Sequence, residues 1–212
     1  SVLFTGTEVQ LSIPAGLNHD QWTGRNFAPR LLQTAPNADM AVEASFLSTP
    51  VPRSGQGLIF QADANNLIRF ALEHNGTTFR TTVTSMTGGS AVVRAAKNLT
   101  TAPGFLRVTR TGSVWKFERS ADGRTWFTDA TVTFALAVQQ AGVFAMTTGS
   151  PAPAFVSTVD YFRNLTDGRF VDDAPRISNL NVVPKARSAV VSWTTSMPTQ
   201  TTLQHGYGTD VP

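Results

Sequence analysis

Residues 19–26 read His-Asp-Gln-Trp-Thr-Gly-Arg-Asn, the densest grouping of chemically versatile side chains in the sequence. Sugar recognition uses this mixture. An indole stacks on apolar C–H groups, while planar donors and acceptors bracket hydroxyls. His19, Asp20, Trp22 and Arg25 are therefore candidate carbohydrate-binding residues. The competing reading is structural, with Trp22 plugging one end of the fold and Asp20 capping backbone amides. Arg30, Gln61, Asn66 and Arg69 occupy polar positions of neighbouring extended segments and are placed to line the same face.

Other chemistry is thinly represented. Cysteine is absent, which removes disulfides and thiolate metal sites and leaves the compartment open. No Gly-x-Ser-x-Gly elbow occurs, and His19, His74 and His205 suggest no triad. There is no His-Glu-x-x-His helix, no acidic loop of the EF-hand kind and no glycine loop for phosphate. No cofactor is implied. A structural calcium is the one metal left open, at Asp160: alternation pairs it with Phe162 on an apolar face, where a carboxylate needs backbone donors, an arginine or a cation.

The elements that must position these residues are strands. Charged residues make up 15% of the chain, and 29 Thr and 20 Val bias it away from helix. Period-2 alternation marks ten strands, over 40–47, 57–62, 67–73, 78–86, 91–96, 105–111, 114–120, 126–134, 142–147 and 155–162. Turn residues such as Asn75-Gly76, Gly88-Gly89, Gly112-Ser113 and Asp122-Gly123 separate them. Such a string describes an antiparallel β-sandwich or jelly roll. Ile68, Phe70, Leu72, Leu106, Val108 and Phe144 are expected between its sheets, with Arg69, Ala71 and Glu73 on a polar face. The basic stretch 80–124 is expected to be a solvated strand face, so nucleic acid is not a predicted partner. The longest apolar run, 134–138, is far too short to span a bilayer as a helix, so no membrane insertion is expected.

Residues 166–175 are polar and break the alternation, which predicts a linker. Beyond it, 177–183, 189–194 and 202–207 read as three more strands, too few for an independent core. This suggests an excerpt that stops inside a second unit.

Four stretches carry a family resemblance: GLNHDQWTGRNFAPRLLQ (16–33), QGLIFQADANNLIRFAL (56–72), LRVTRTGSVWKFERSADGRTW (106–126) and AGVFAMTTGSPAPAFVSTVDYF (141–162). Together they resemble the DUF1349 family, a branch of the concanavalin A-like lectin/glucanase jelly rolls found as accessory modules of secreted bacterial proteins. PRISNLNVVPKARSAVVSWTT (175–195) and TLQHGYGTD (202–210) are similar to the first strands of a fibronectin type III domain, with Trp193 and Tyr207 as its core aromatics. A related pattern occurs in the N-terminal sandwich of purple acid phosphatases. The resemblances imply a jelly-roll module over 1–165, a linker over 166–175 and an incomplete fibronectin type III domain over 176–212.

Glucanase relatives carry a Glu-x-Asp-x-x-Glu strand that sets two carboxylates about 5 to 5.5 Å apart. None of Glu8, Glu43, Glu73 and Glu118 begins that pattern. The run Ser120 to Trp126 resembles a sialidase Asp-box but is one residue shorter, and an Asp-Gly turn with Trp126 packed back on the sheet accounts for it. The expected function is that of a non-catalytic carbohydrate-binding module in a larger secreted or cell-surface protein. Its partners would be a poly- or oligosaccharide and other domains of the same chain. The alternatives are a structural or adhesive spacer and a jelly-roll hydrolase or lyase.

Overall fold

The structure is a computed structural model that describes residues 1–166, 177–185 and 188–195. The strands are β1 (Val2–Phe4), β2 (Val9–Ile13), β3 (Gln21–Trp22), β4 (Arg25–Asn26), β5 (Arg30–Thr34), β6 (Met40–Phe46), β7 (Ser54–Asp63), β8 (Asn66–His74) and β9 (Phe79–Thr87). They continue with β10 (Ser90–Leu99), β11 (Phe105–Thr111), β12 (Val114–Ser120), β13 (Phe127–Thr133), β14 (Gln140–Thr147), β15 (Phe155–Asn164), β16 (Ile177–Lys185) and β17 (Ser188–Thr195). Among the described residues there is no helix. All ten expected strands are present, with ends shifted by a few residues. β1, β2, β5 and the short β3–β4 hairpin are additional.

The chain divides into two compact units, Ser1–Gly168 and Arg169–Pro212. The first is an antiparallel jelly-roll sandwich. One sheet has the order β1-β2-β15-β6-β11-β12-β13 and the other β10-β9-β8-β7-β14-β5. Alternating apolar side chains meet between them: Leu58, Phe60, Ile68, Phe70 and Leu72 from the six-stranded sheet, and Val42, Ala44, Leu106, Val108, Trp115 and Phe117 from the seven-stranded one. Tilted ring pairs Phe60–Trp115 at 5.2 Å and Phe70–Phe117 at 5.4 Å cross the sandwich. Such pairs add to the burial energy of two large apolar rings. In the second unit β16 and β17 pair antiparallel, with a register shift between Ser178 and Asn181. The expected linker from residue 167 on, the Trp193 side chain, the third strand at 202–207 and Tyr207 lie outside the described residues.

Three expectations about faces need correction. Phe144 does not lie between the sheets. Ala141, Val143 and Ala145 of β14 face the sandwich, whereas Phe144 and Met146 face away and pack with Ala28, Ile59, Leu67, Ala71 and Met86 in a second buried cluster. For the same reason the face carrying Arg69 and Ala71 is not simply polar and solvated: both residues are buried. Asp160 is exposed rather than buried. A register shift between Val159 and Tyr161 leaves it unpaired in a bulge, and the extra residue returns Phe162 to the core side without it. The burial that would call for a calcium ion is therefore missing.

Polar groups are spent on specific partners. On the outer face of the seven-stranded sheet, Glu43 is fully buried and accepts hydrogen bonds from Arg107 at 2.7 Å, Arg163 at 2.8 Å and Tyr161 at 2.6 Å. Burial alone would raise its carboxyl; the hydrogen bonds from Tyr161, Arg107 and Arg163 outweigh it and hold Glu43 below the usual carboxylate range. Trp126 stacks on Arg107 at 3.7 Å, so the Asp-box-like turn serves this sheet. At the sandwich edge Asp129 of β13 binds Arg119 at 3.0 Å, Lys97 at 3.2 Å and Thr81 at 2.7 Å, linking β13 to β9 and β10. With Arg80–Glu73 and Lys116–Glu118, these pairs engage five of the basic residues in 80–124 with named carboxylates.

Candidate functional site

The segment after β2 carries the versatile residues, and its backbone shows how they are held. Gly16 pairs with Ala152 and His19 with Thr147, so the chain first runs beside the end of β14. It then turns into the β3–β4 hairpin, closed by Phe27 N–H to Asp20 O at 2.9 Å and a positive-φ Gly24. The far end is tied to two turns of the six-stranded sheet. Asn26 Nδ2 donates to Ala64 O at 3.0 Å, and Ala91 N–H donates to Thr23 Oγ1 at 3.0 Å. The hairpin thus lies across the outer face of that sheet, and the Phe144–Met146 cluster packs on this same face.

Beside the hairpin opens a cleft of about 340 Å³. Asp20, Gln21 and Trp22 line it from the hairpin, Arg69 and Glu73 from β8, and Arg80, Thr82 and Thr84 from β9. Trp22 keeps 40% of its surface exposed. It also borders a second depression of about 260 Å³ with Arg25, Asn26 and Phe27, so the indole stands between two hollows. Glu73 is bound by Arg80 at 3.1 Å. Three buried polar atoms of the lining, Asp20 Oδ1, Gln21 Oε1 and Arg69 Nε, have no hydrogen-bond partner among the described residues. Native proteins leave few such groups unexplained. Burial pushes the Arg69 guanidinium down from its usual value, with the charges of Glu73 and Asp20 acting against the shift.

The structure brings Asp20, Trp22 and Arg69 to the larger cleft and Arg25 to the second depression, 4.0 Å from Asp20. It places the other four candidates outside both linings. His19 Nδ1 is 2.9 Å from Leu17 O. Arg30 donates to Gln61, which donates to Gln140. Asn66 staples a turn, donating to Asp63 and accepting from Gly88 N–H. Glu73, Arg80, Thr82 and Thr84 are lining residues that the residue pattern did not single out. Their signal is the register, since Glu73 sits opposite Arg80 and Arg69 opposite Thr84 across β8 and β9. Among the described residues no three metal-ligating His, Asp or Glu side chains come together.

No family model and no curated protein matches the sequence. Solved structures do match the fold. A functionally unknown protein from Saccharomyces cerevisiae aligns at TM-score 0.58 and 17% identity, over 77% of this chain and 90% of its own. The legume lectin-like domain from Entamoeba histolytica aligns at 0.56 and 10% identity, over 77% of this chain and 85% of its own. The GH43 protein BlXynB from Bacillus licheniformis aligns at 0.59 and 16% identity, over 74% of this chain but only 32% of its own length. The sandwich is thus a concanavalin- and legume-lectin-like jelly roll; at these identities the likeness speaks of fold alone.

Proposed function

We propose that this jelly roll is a non-catalytic carbohydrate-binding module of the DUF1349 kind, spanning residues 1–165 of a larger secreted or cell-surface protein. A fibronectin type III-like domain would follow a short linker in that protein. One observation carries the reading. An exposed indole on a tethered hairpin flanks a polar cleft whose lining holds buried acceptors and a buried donor without partners among the described residues. A pyranose supplies what both need: a C–H face for the ring, and hydroxyls that donate to Asp20 and Gln21 while accepting from Arg69. The lectin-like and glycoside hydrolase neighbours make a carbohydrate ligand a natural reading for such a cleft. Of the two carboxylates in the lining, Glu73 is committed to Arg80, which favours binding over turnover.

Isothermal titration of the 212-residue chain against a polysaccharide panel is expected to show dissociation constants of about 10 µM to 1 mM. Incubation with the same panel is expected to release no new reducing ends or unsaturated products. Turnover that disappears on mutating Asp20 or Glu73 would reverse the non-catalytic assignment. Silence across a broad panel would favour a spacer.

A further inference from the structure

Two arginines are buried in the sandwich, and they are treated differently. Arg110, 8% exposed, donates to Gly112 O at 2.7 Å and Asn37 Oδ1 at 2.9 Å. Arg69, 5% exposed, has one acceptor among the described residues, the Met146 sulfur 2.8 Å from Nη1. A thioether is a weak acceptor and carries no charge. The guanidinium carbon lies 5.4 Å from the Phe144 ring centroid, Nε has no partner, and Arg69 enters no ion pair among the described residues.

The sequence makes room for this arrangement. Arg69 is on β8 and its contacts are on β14, so the side chain must cross β7, which lies between them. β7 pairs Gly57 with Phe144 and Gly55 with Met146, and these two glycines present no side chain there. A Cβ on Gly55 would fall 2.8 Å from Met146 Cε, and one on Gly57 would collide with the Phe70 carbonyl. The guanidinium is therefore seated in a trough between a sulfur and an aromatic ring, oriented before any ligand arrives. A buried cation without a counter-ion is costly unless something else pairs with it.

The rest of the lining does not provide that partner. Glu73 is taken by Arg80 at 3.1 Å, and Asp20 has Arg25 at 4.0 Å. Arg53 also lines the cleft and makes no ion pair among the described residues, so the opening beside Arg69 holds more positive than negative charge. The hydroxyl of a neutral sugar would satisfy Nε but leave the guanidinium without a direct ion pair, since the charges of Glu73 and Asp20 reach it only from beyond ion-pair distance. A planar carboxylate fits a guanidinium fork through paired, charge-assisted hydrogen bonds.

We infer that the cleft selects an acidic glycan, and that Arg69 receives the anionic substituent of the sugar lodged beside Trp22. This rests on the carbohydrate-binding reading and narrows its ligand class. Uronate carboxylates and sulfate esters share the required charge, and the test separates them.

The test titrates the chain with polygalacturonate and alginate, with their carboxyl-reduced neutral forms, and with a sulfated galactan. The expected result is binding to at least one acidic polymer, at least tenfold weaker binding once its carboxyls are reduced, and weakening by added salt. Tighter binding of the sulfated galactan would support the anion site and identify sulfate as the substituent. R69Q is expected to lose at least tenfold for the acidic polymer and at least fivefold less for its carboxyl-reduced form, for which Arg69 supplies only a hydroxyl contact. The reduced polymers probe the unmodified protein, so the inference stays testable even if R69Q fails to fold. Equal binding of acidic and reduced forms, or binding of neutral glycans alone, would overturn the anion site and leave carbohydrate binding standing. Binding to none of these polymers would overturn the anion site, and silence across the broad polysaccharide panel as well would overturn both.

Discussion

Replacing Trp22 by alanine tests the stacking platform with a magnitude that follows from its exposure. The residue keeps 40% of its surface in solvent. On a whole side chain of about 250 Å², that leaves about 100 Å² free, of which a pyranose on one ring face covers about half. At about 25 cal/mol per Å² the loss is about 1.3 kcal/mol, close to a tenfold rise in Kd. Trp22→Phe keeps a smaller aromatic face and should fall between. Calorimetric titration with the best ligand of the panel measures the change, and a thermal melt provides the control. The larger part of Trp22 is covered by the protein, so truncation should lower Tm somewhat even though the hairpin ties run through other groups, and the control is that the variant still melts cooperatively above the titration temperature. A Trp22→Ala protein that is folded at the titration temperature and binds within twofold of the parent would refute the stacking argument.

Glu43→Gln should cost about 2 to 4 kcal/mol, below the usual figure for breaking a buried pair because Arg107 and Arg163 keep 26% and 31% side-chain exposure and can rehydrate. In a domain of this size that is a fall of about 5 to 15 °C in Tm, and a loss under about 1 kcal/mol would show that the cluster is dispensable. Because the folded Glu43 carboxyl lies below its unfolded value, its stabilisation is complete above the unfolded pKa near about 4.3 and fades as pH falls through the folded value. Glu43→Gln should therefore flatten the acid side of a denaturation profile; an unchanged acid limb would contradict this. Gln56→Leu removes bonds to Ser48 and Ser157, strands the buried Ser157 hydroxyl while Ser48 Oγ keeps Thr158 N–H, and should cost about 1 to 3 kcal/mol in urea melts. Gly57→Ala should lower stability and ligand affinity together, since a Cβ there meets the Phe70 carbonyl in the floor that supports Arg69. A variant with native stability would count against that geometry.

The strands were legible because Thr, Val and aromatic residues alternate with polar ones, and because glycine turns punctuate them. Faces were harder to read. Phe144 and Met146 lie on β14 between small core residues, so apolar side chains occur on both sides and alternation alone does not choose the sandwich side. A single bulged residue reversed the phase at Asp160, and a bulge leaves little trace in composition. β1 and β5 are short, and β5 is half-buried to exposed, so no clean apolar stripe announces it. For the site, Trp22 and Asp20 were legible because they sit in one contiguous loop. The meeting of Arg69 with Met146 joins residues 77 positions apart and depends on strand order, which local pattern does not contain.

The fastening of the β3–β4 hairpin has a consequence for how such a module diversifies. Its ties are backbone pairs at His19–Thr147 and Asp20–Phe27, one threonine hydroxyl, one asparagine amide and a glycine turn. None of them uses the side chain of Trp22. Arg25 takes part only through its 4.0 Å approach to Asp20. The residues aimed outward are thus separable from those that hold the hairpin, so drift at positions 22 and 25 would, on the carbohydrate-binding reading, change what is recognised while the ties stay in place. Libraries randomised at these two positions should yield mostly folded proteins with altered ligand preference, which would make the hairpin an interchangeable reading head on a fixed sandwich of strands.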